Sequence, residues 1–244
     1  MKVPISWLRE SVDMGVDVIG GVPQISDDPV AFLDMLFEVA TNSGLPLDLH
    51  IDEHLNANTL VFDPLIERTE ALGMQNRVVA GHSSALSALG SAEAGRIIER
   101  LARAGIAVVT LPAANLFLQG RGAEVLPPRG LTRVTDLIAA GVRVAAGSDN
   151  IQDPFVPTGS GDMLEVARWT LLSAHLGLTD LATAFDLVSR SPAAIMGLGE
   201  DWGIHKGARA DLLISDAEDA EDLVASGSLN RTVLVAGRVV SGCL

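Results

Sequence analysis

The sequence of 244 residues is 48% hydrophobic with a mean hydropathy of +0.33, which suits one α/β unit with a substantial core. Seventeen Lys and Arg residues against 31 Asp and Glu residues give a net charge of −14, which argues against nucleic-acid and anionic-membrane partners. No apolar run approaches the roughly 20 residues of a membrane span, and the charged start MKVPISWLRE lacks the apolar centre of a signal peptide. We therefore expect a cytoplasmic protein, and the single cysteine, Cys243, excludes internal disulfides.

Short runs rich in Val, Ile and Leu alternate with stretches of helical periodicity, as parallel strands alternate with covering helices. Glycines follow four of the helical runs, where a left-handed C-cap is wanted: Gly44, Gly73, Gly105 and Gly141. Strands are predicted at 16–20, 47–51, 77–81, 107–111 and 143–147. Helices are predicted near 29–43, 60–72, 91–104, 131–140, 161–176 and 179–189.

The alternation stops near residue 200. The segments GARADLLISDAEDAEDLV and TVLVAGRVV predict strands with turns, including a hairpin or bend at 236–238. We therefore divide the chain into an α/β domain, 1–200, and a small C-terminal β segment, 201–244.

Polar residues occupy one face of the second predicted strand, LDLHID. Because side chains alternate along a strand, the Leu and Ile residues should meet the helices while Asp48, His50 and Asp52 face the other side. Glu53 and His54 follow at the strand end, where parallel α/β folds bind ligands. From this strand alone, a hydrogen-bonded structural cluster is an equally good interpretation. For His54 we favour a plain loop residue over a ligand or a substrate contact.

Two later strands end in the same way. VVAGH places His82 at the tip of the next strand, and AAGSD places Asp149 after the last one. Asp149 could instead cap a helix, but the Asp153-Pro pair that follows indicates a structured loop. Together with His50 and Glu53, these residues supply two imidazoles and two carboxylates, a set suited to metal-assisted hydrolysis.

In order and spacing, HIDEH, VVAGHSSAL, LPAANLFLQGR, GVRVAAGSDNIQDPFVPTGSGDM, SPAAIMGL and GARADLLI resemble the amidohydrolase superfamily, in particular bacterial cytosine deaminases and triazine-ring aminohydrolases. The resemblance implies a (β/α)8 TIM barrel of the metal-dependent hydrolase type, with a composite β-sandwich to which 201–244 would contribute. It implies one divalent metal ion, Zn²⁺ or Fe²⁺, held by His50 and Asp149. Glu53 would shuttle protons, His82 would polarise the substrate and Asp149 would also activate water.

The same resemblance suggests substrate contacts. The stretch NLFLQGR is similar to a loop that closes over the ring in cytosine deaminases, which favours Gln119 and Arg121, although a simple loop after a helix is the alternative. Asn150 stands where cytosine deaminases usually carry a second Asp and triazine-type relatives an Asn. The implied reaction is hydrolytic deamination of a small nitrogen heterocycle, a cytosine-like pyrimidine or an aminotriazine, with water as the other reactant.

One departure from the family pattern is large. Family members have a first strand ending His-x-His, but no His-x-His occurs here and no histidine precedes His50. If 16–20 is the fourth barrel strand, strands one to three are missing, together with a substrate-binding Gln, and two sheet edges are exposed. Three explanations are open. We favour a start codon placed too far downstream; a degenerate fragment is the second choice, and a gene split into two chains is the third. Exposed edges favour self-association into a homo-oligomer.

Two other functions remain open from the sequence. The chain could be a catalytically inactive fragment or a subunit that binds its missing half, because the two expected metal ligands are absent. An unrelated phosphate-binding β-α barrel is less favoured, since the segment GSDNIQD after the last strand is too acidic to suit a phosphate.

Overall fold

A computed structural model describes residues 4–126 and 128–242, so Cys243 lies outside the described residues. Five parallel strands pair in chain order, which confirms the predicted α/β class. The strands are β1 (Ile19–Gly21), β2 (Leu47–Ile51), β3 (Val78–His82), β4 (Ala107–Thr110) and β5 (Val144–Ala146). Four of them both begin and end within one residue of the predicted bounds. β1 begins at Ile19 rather than at residue 16 because its register partner, Leu47, is the first residue of β2.

Ten helices lie in the described part of the chain. They are α1 (Ile5–Asp13), α2 (Pro29–Ser43), α3 (Phe62–Ala71), α4 (Ser91–Arg103), α5 (Pro112–Leu118), α6 (Val134–Ala139), α7 (Met163–Ser173), α8 (Leu181–Asp186), α9 (Arg190–Ile195) and α10 (Ala220–Ser226). Six were predicted, with ends within three residues, while α1, α5, α9 and α10 were missed. None of these helices combines the length and apolarity needed to cross a membrane. The four glycines predicted after helices have positive φ, between 63° and 81°.

The core lies between the sheet and the helices that cover one of its faces. β2 shows the predicted alternation, with its Leu and Ile side chains fully buried, Asp48 exposed and His50 half-buried. Fully buried partners come from two of the covering helices: Leu33, Leu36, Phe37, Phe62, Leu65 and Ile66. On the opposite face, a cavity of about 560 Å³ is lined by Asp48 and by residues of neighbouring strands. The strands therefore carry an apolar face toward the helices and a polar face toward this hollow.

A second, antiparallel sheet follows the parallel sheet along the chain. Its strands are β6 (Leu212–Ser215), β7 (Arg231–Val235) and β8 (Arg238–Ser241). Ala236 and Gly237 connect β7 and β8 with φ of 49° and 76°, as a two-residue hairpin turn requires, which confirms the predicted hairpin. The helix α10 lies between β6 and β7 in the chain, and its residues Leu223 and Val224 pack on α7 and α8. The boundary between 200 and 201 stays a prediction.

One charged pair joins the small sheet to the helices. Arg231 of β7 donates two hydrogen bonds, of 2.9 and 2.6 Å, to the carboxylate of Asp162, which also caps α7 by accepting from the backbone N–H of Leu164. We expect Arg231→Ala to lower the free energy of unfolding by about 1 kcal/mol, and Asp162→Ala by about 2 kcal/mol because the cap is lost as well. Urea unfolding at pH 7 measures both. Arg209→Ala is the matched control: its partner Asp211 lies two residues away in the same loop, so the midpoint should stay unchanged.

The stabilisation by this pair should depend on pH. The Arg231 guanidinium holds the pKa of Asp162 below its ordinary value. A lowered pKa in the folded state means that the contribution is complete above the ordinary Asp pKa of about 3.9 and is lost as the pH falls through the lower folded value. The difference in unfolding free energy between wild type and Arg231→Ala should therefore shrink on acidification below about pH 4. A difference that stays constant there would contradict this account of the pair.

Candidate metal and acid–base site

The polar cluster lies at the carboxyl ends of three parallel strands of the same sheet, β2, β3 and β5. His50 is the penultimate residue of β2, and His82 is the last residue of β3, in register with Ile51. Asp149 follows β5 by three residues. Because parallel strands present their carboxyl ends at one edge of the sheet, these residues meet at one mouth.

Sharp turns at the strand ends aim the side chains. Asp52, His82 and Asp149 have φ of 48°, 61° and 61°, in the left-handed region that costs a non-glycine residue about 1–3 kcal/mol. A backbone hydrogen bond links the first two turns: the N–H of Ser83 donates to Ile51 O at 3.0 Å. Such strain is typical of functional sites, where surrounding structure maintains a conformation that the residue itself disfavours.

The four side chains predicted to form the site come together. His82 Nε2 lies 2.9 Å from His50 Nδ1 and 3.5 Å from both Glu53 Oε2 and Asp149 Oδ2. His50 Nδ1 lies 3.9 Å from Glu53 Oε2, and the two imidazole rings are 4.7 Å apart at 47°. Side-chain exposure rises from 0% at His82 through 13% at Asp149 and 19% at Glu53 to 39% at His50. The site therefore opens to solvent on the side of His50.

Burial and charge shift the four pKa values in different directions. The Glu53 carboxylate raises the pKa of His50, against the effect of burial. Burial raises the pKa of Asp149 despite the nearby imidazoles, and burial lowers the pKa of His82 despite the nearby carboxylates. For Glu53, burial works to raise the pKa, but His50 and His82 together bring it below its ordinary value. Opposed shifts within one cluster are typical of acid–base sites.

The donor set fits a divalent metal ion. One ligand atom from each of His50, Glu53 and His82 lies within 4.8 Å of the other two. Ligands bonded at about 2.1 Å to a tetrahedral ion are about 3.4 Å apart, so small side-chain adjustments would suffice. Imidazole and carboxylate donors suit Zn²⁺ and Fe²⁺ alike. The ligand pair implied by the sequence, His50 and Asp149, differs from this triad and stays a prediction.

The three predicted substrate contacts have other partners in the structure. Gln119 Nε2 donates to the backbone O of Glu53 at 3.1 Å, so this residue does touch the site. Arg121 is exposed and packs on Phe117, with its guanidinium 4.1 Å from the ring centre. Asn150 donates to the Asp153 carboxylate at 2.5 Å. Their substrate roles stay predictions.

Sequence reasoning missed two residues that hold His82. Asn115 of α5 is fully buried, with its Oδ1 2.9 Å from His82 Nδ1. Thr132 donates its hydroxyl to the backbone O of His82 at 2.6 Å. A signal for Asn115 was present, because a lone polar residue in the apolar run LPAANLFL needs a buried partner.

The expectation that Asp52 faces the same side as His50 is wrong. With its positive φ, Asp52 turns away, becomes fully buried and accepts the backbone N–H of Val61 at 3.1 and 3.0 Å, just before α3. The adjacent His54 accepts the backbone N–H of Asn56 at 3.2 Å, in keeping with a loop residue. Asp52 therefore closes the loop that carries Glu53.

Removal of this loop closure should be costly. We expect Asp52→Ala to lower the free energy of unfolding by about 1–3 kcal/mol, because the buried N–H of Val61 loses its acceptor. Urea unfolding measures the loss. Asn56→Ala is the control, since it removes an exposed side-chain hydrogen bond to Asn58 in the same loop and should change stability little. Equal effects of the two variants would contradict the structural role of Asp52.

Comparison with known proteins identifies the family. The amidohydrolase family profile matches residues 7–241. A pterin deaminase of Rhizobium rhizogenes strain K84 is 36% identical over 93% of this chain and 52% of its own length. N-isopropylammelide isopropyl amidohydrolase of Pseudomonas sp. strain ADP is 26% identical, over 96% of this chain and 56% of its own length. This chain belongs to the amidohydrolase family, which confirms the resemblance seen in the sequence.

A solved structure agrees with this assignment. The crystal structure of 5-methylcytosine deaminase from Klebsiella pneumoniae, liganded with 5-fluorocytosine, matches with a TM-score of 0.92 at 30% identity. The match covers 98% of this chain and 59% of that chain. The chain thus spans between 52% and 59% of the length of these three relatives.

Proposed function

We propose that this chain carries the acid–base part of a metal-dependent hydrolytic deaminase that acts on a small nitrogen heterocycle. One observation carries the proposal: His50, Glu53, His82 and Asp149 converge within hydrogen-bonding or ion-pair distance at the ends of parallel strands. Paired imidazoles and carboxylates with this spacing suit metal binding and proton transfer together.

The side chains would divide the reaction between them. A bound divalent ion supplies Lewis acidity and activates water. Asp149, whose pKa is raised by burial, accepts the proton from water. Water supplies both transferred protons. Glu53 takes up one and delivers it to the ring nitrogen, and the one accepted by Asp149 passes through Glu53 to the departing amino group, which leaves as ammonia, while the ring carbon keeps the oxygen. His82, fully buried at the centre, stabilises the charge that develops at the attacked carbon.

The substrate class follows from the relatives' names, which specify a pterin deaminase, a 5-methylcytosine deaminase and an N-isopropylammelide amidohydrolase. We infer for this chain a nitrogen heterocycle with an exocyclic amino group. A cavity of about 320 Å³ beside Asn150 has the volume of a ligand pocket. The lining of that cavity does not include the four site side chains. We therefore place the reaction at the mouth beside His50 rather than in that cavity.

A noncatalytic member of the same family is the second candidate. It is favoured by one observation, the absence of any His-x-His from the sequence, because two imidazoles that the family pattern provides for the metal are then not supplied by this chain.

Ammonia release distinguishes the two candidates. The purified chain, supplied with Zn²⁺ or Fe²⁺, is incubated with pterin, cytosine, 5-methylcytosine and an aminotriazine. Turnover of any of them supports the deaminase. A folded chain that binds metal and releases no ammonia from any compound supports the noncatalytic candidate.

A further inference from the structure

The side chain of Asn115 meets the ring nitrogen of His82 that faces away from the site. Both side chains are fully buried, and Asn115 Oδ1 lies 2.9 Å from His82 Nδ1. The other ring nitrogen, Nε2, lies 2.9 Å from His50 Nδ1 and 3.5 Å from each of the carboxylates of Glu53 and Asp149. Nδ1 of His82 therefore contacts Asn115, and Nε2 faces the proposed reaction site.

The backbone around Asn115 is fixed on both sides. Its N–H donates to Leu111 O at 3.1 Å, and its own O accepts from the N–H of Gln119 at 3.0 Å. The Gln119 side chain in turn donates to the backbone O of Glu53. The short helix α5 and the residue that follows it thus contact His82 and the loop of Glu53, which fixes the backbone position of Asn115 relative to the site.

An amide oxygen can only accept a hydrogen bond, so Nδ1 of His82 must carry the proton in this arrangement. This holds for the neutral ring and for the cation. With the amide reversed, its NH₂ group would need a lone pair on Nδ1, which is present only when the neutral ring carries its proton on Nε2. The two orientations therefore predict opposite tautomers.

We propose that Asn115 is a positioning residue that keeps the proton on Nδ1 of His82 and thereby presents Nε2 to the reacting groups. Fixing of one imidazole nitrogen by a buried partner is a general means of selecting the tautomer and ring orientation. The catalytic consequence rests on the proposed function, whereas the tautomer is a property of the folded chain and is measured without substrate.

The test is the ¹⁵N NMR signature of His82 in the ¹⁵N-histidine-labelled, chelator-treated 244-residue chain, which contains five histidines. Spectra are recorded near pH 8, above the ordinary His pKa of about 6.5, and the His82→Gln spectrum identifies the resonances. We expect a protonated-type shift for Nδ1 and an unprotonated-type shift for Nε2. Protonation on Nε2 instead would overturn the proposal.

Variants distinguish the effect of the Asn115 amide on the His82 tautomer from a general effect of packing around His82. Asn115→Leu should move the Nδ1 resonance toward the unprotonated type, and Asn115→Asp, which keeps an acceptor, should leave Nδ1 protonated. Thr132→Val is the matched control, because it removes a buried hydrogen bond to the backbone O of His82, away from the ring, and should not change the tautomer. An unchanged tautomer in Asn115→Leu, or the same change in Thr132→Val, would overturn the proposal. If Asn115→Leu does not fold, the wild-type and Asn115→Asp spectra decide.

The NMR spectra and the ammonia assay together distinguish failure of the proposed role of Asn115 from failure of the proposed deaminase function. Absence of ammonia release with Nδ1 protonated contradicts the deaminase and leaves the role of Asn115 intact. Ammonia release with Nε2 protonated contradicts the role of Asn115 and leaves the deaminase intact.

Discussion

Glu53→Gln is expected to lower the rate of ammonia release by about 10²–10⁴-fold, the range for loss of a positioned proton-transfer group. Glutamine keeps the size of the side chain that lies 3.5 Å from His82 Nε2, but it cannot take up and deliver a proton. The change should therefore act on turnover more than on folding. Steady-state ammonia release on the best substrate of the panel gives the rate, and urea unfolding checks the fold.

The control for this variant is Glu70→Gln, which makes the same change of charge on the exposed end of α3. It should leave the rate unchanged. Wild-type turnover in Glu53→Gln would remove the central proton-transfer step of the proposed mechanism. An equal decrease in both variants would point to a general effect of lost negative charge.

Elements with strong local signals were predictable from the sequence. The predicted bounds of α2 are the observed ones: Asp28 caps the N–H of Ala31, Pro29 occupies the first turn, and Gly44 ends the helix at a φ of 73°. β2 was equally well defined by its alternation. In contrast, the start of β1 depends on where β2 begins, which is tertiary information. The short helix α10 was missed although Asp219 caps it and acidic residues fill its first turn.

The site was predictable to the level of strand ends and no further. Placement of His50, His82 and Asp149 at one mouth follows from parallel strand register, which the β-α alternation already implies. The reversed direction of Asp52 was not predictable, because alternation stops where φ becomes positive. The contact between Asn115 and His82 joins residues 33 positions apart through a helix that was not predicted. Supporting residues depend on such tertiary contacts, so the sequence pattern alone did not find them.

His50→Ala should weaken metal binding by more than about 100-fold, since loss of a residue that merely orients a ligand already costs about 10–100-fold. His50 belongs both to the triad defined by geometry and to the ligand pair implied by the sequence, so both assignments require the effect. Competition for Zn²⁺ with a chromogenic chelator measures the affinity. His205→Ala removes an exposed imidazole from a loop and should leave the affinity unchanged.

Two further variants decide between the assignments. If His50 and Asp149 hold the ion, Asp149→Asn should weaken Zn²⁺ binding strongly and Glu53→Gln only slightly, because Glu53 then acts on protons. If the triad with Glu53 and His82 holds it, the order reverses, because Asp149 is not a member of that group and its carboxylate lies 3.5 Å from His82 Nε2. Unchanged affinity in His50→Ala contradicts both assignments and shows that these imidazoles and carboxylates meet without forming a metal centre.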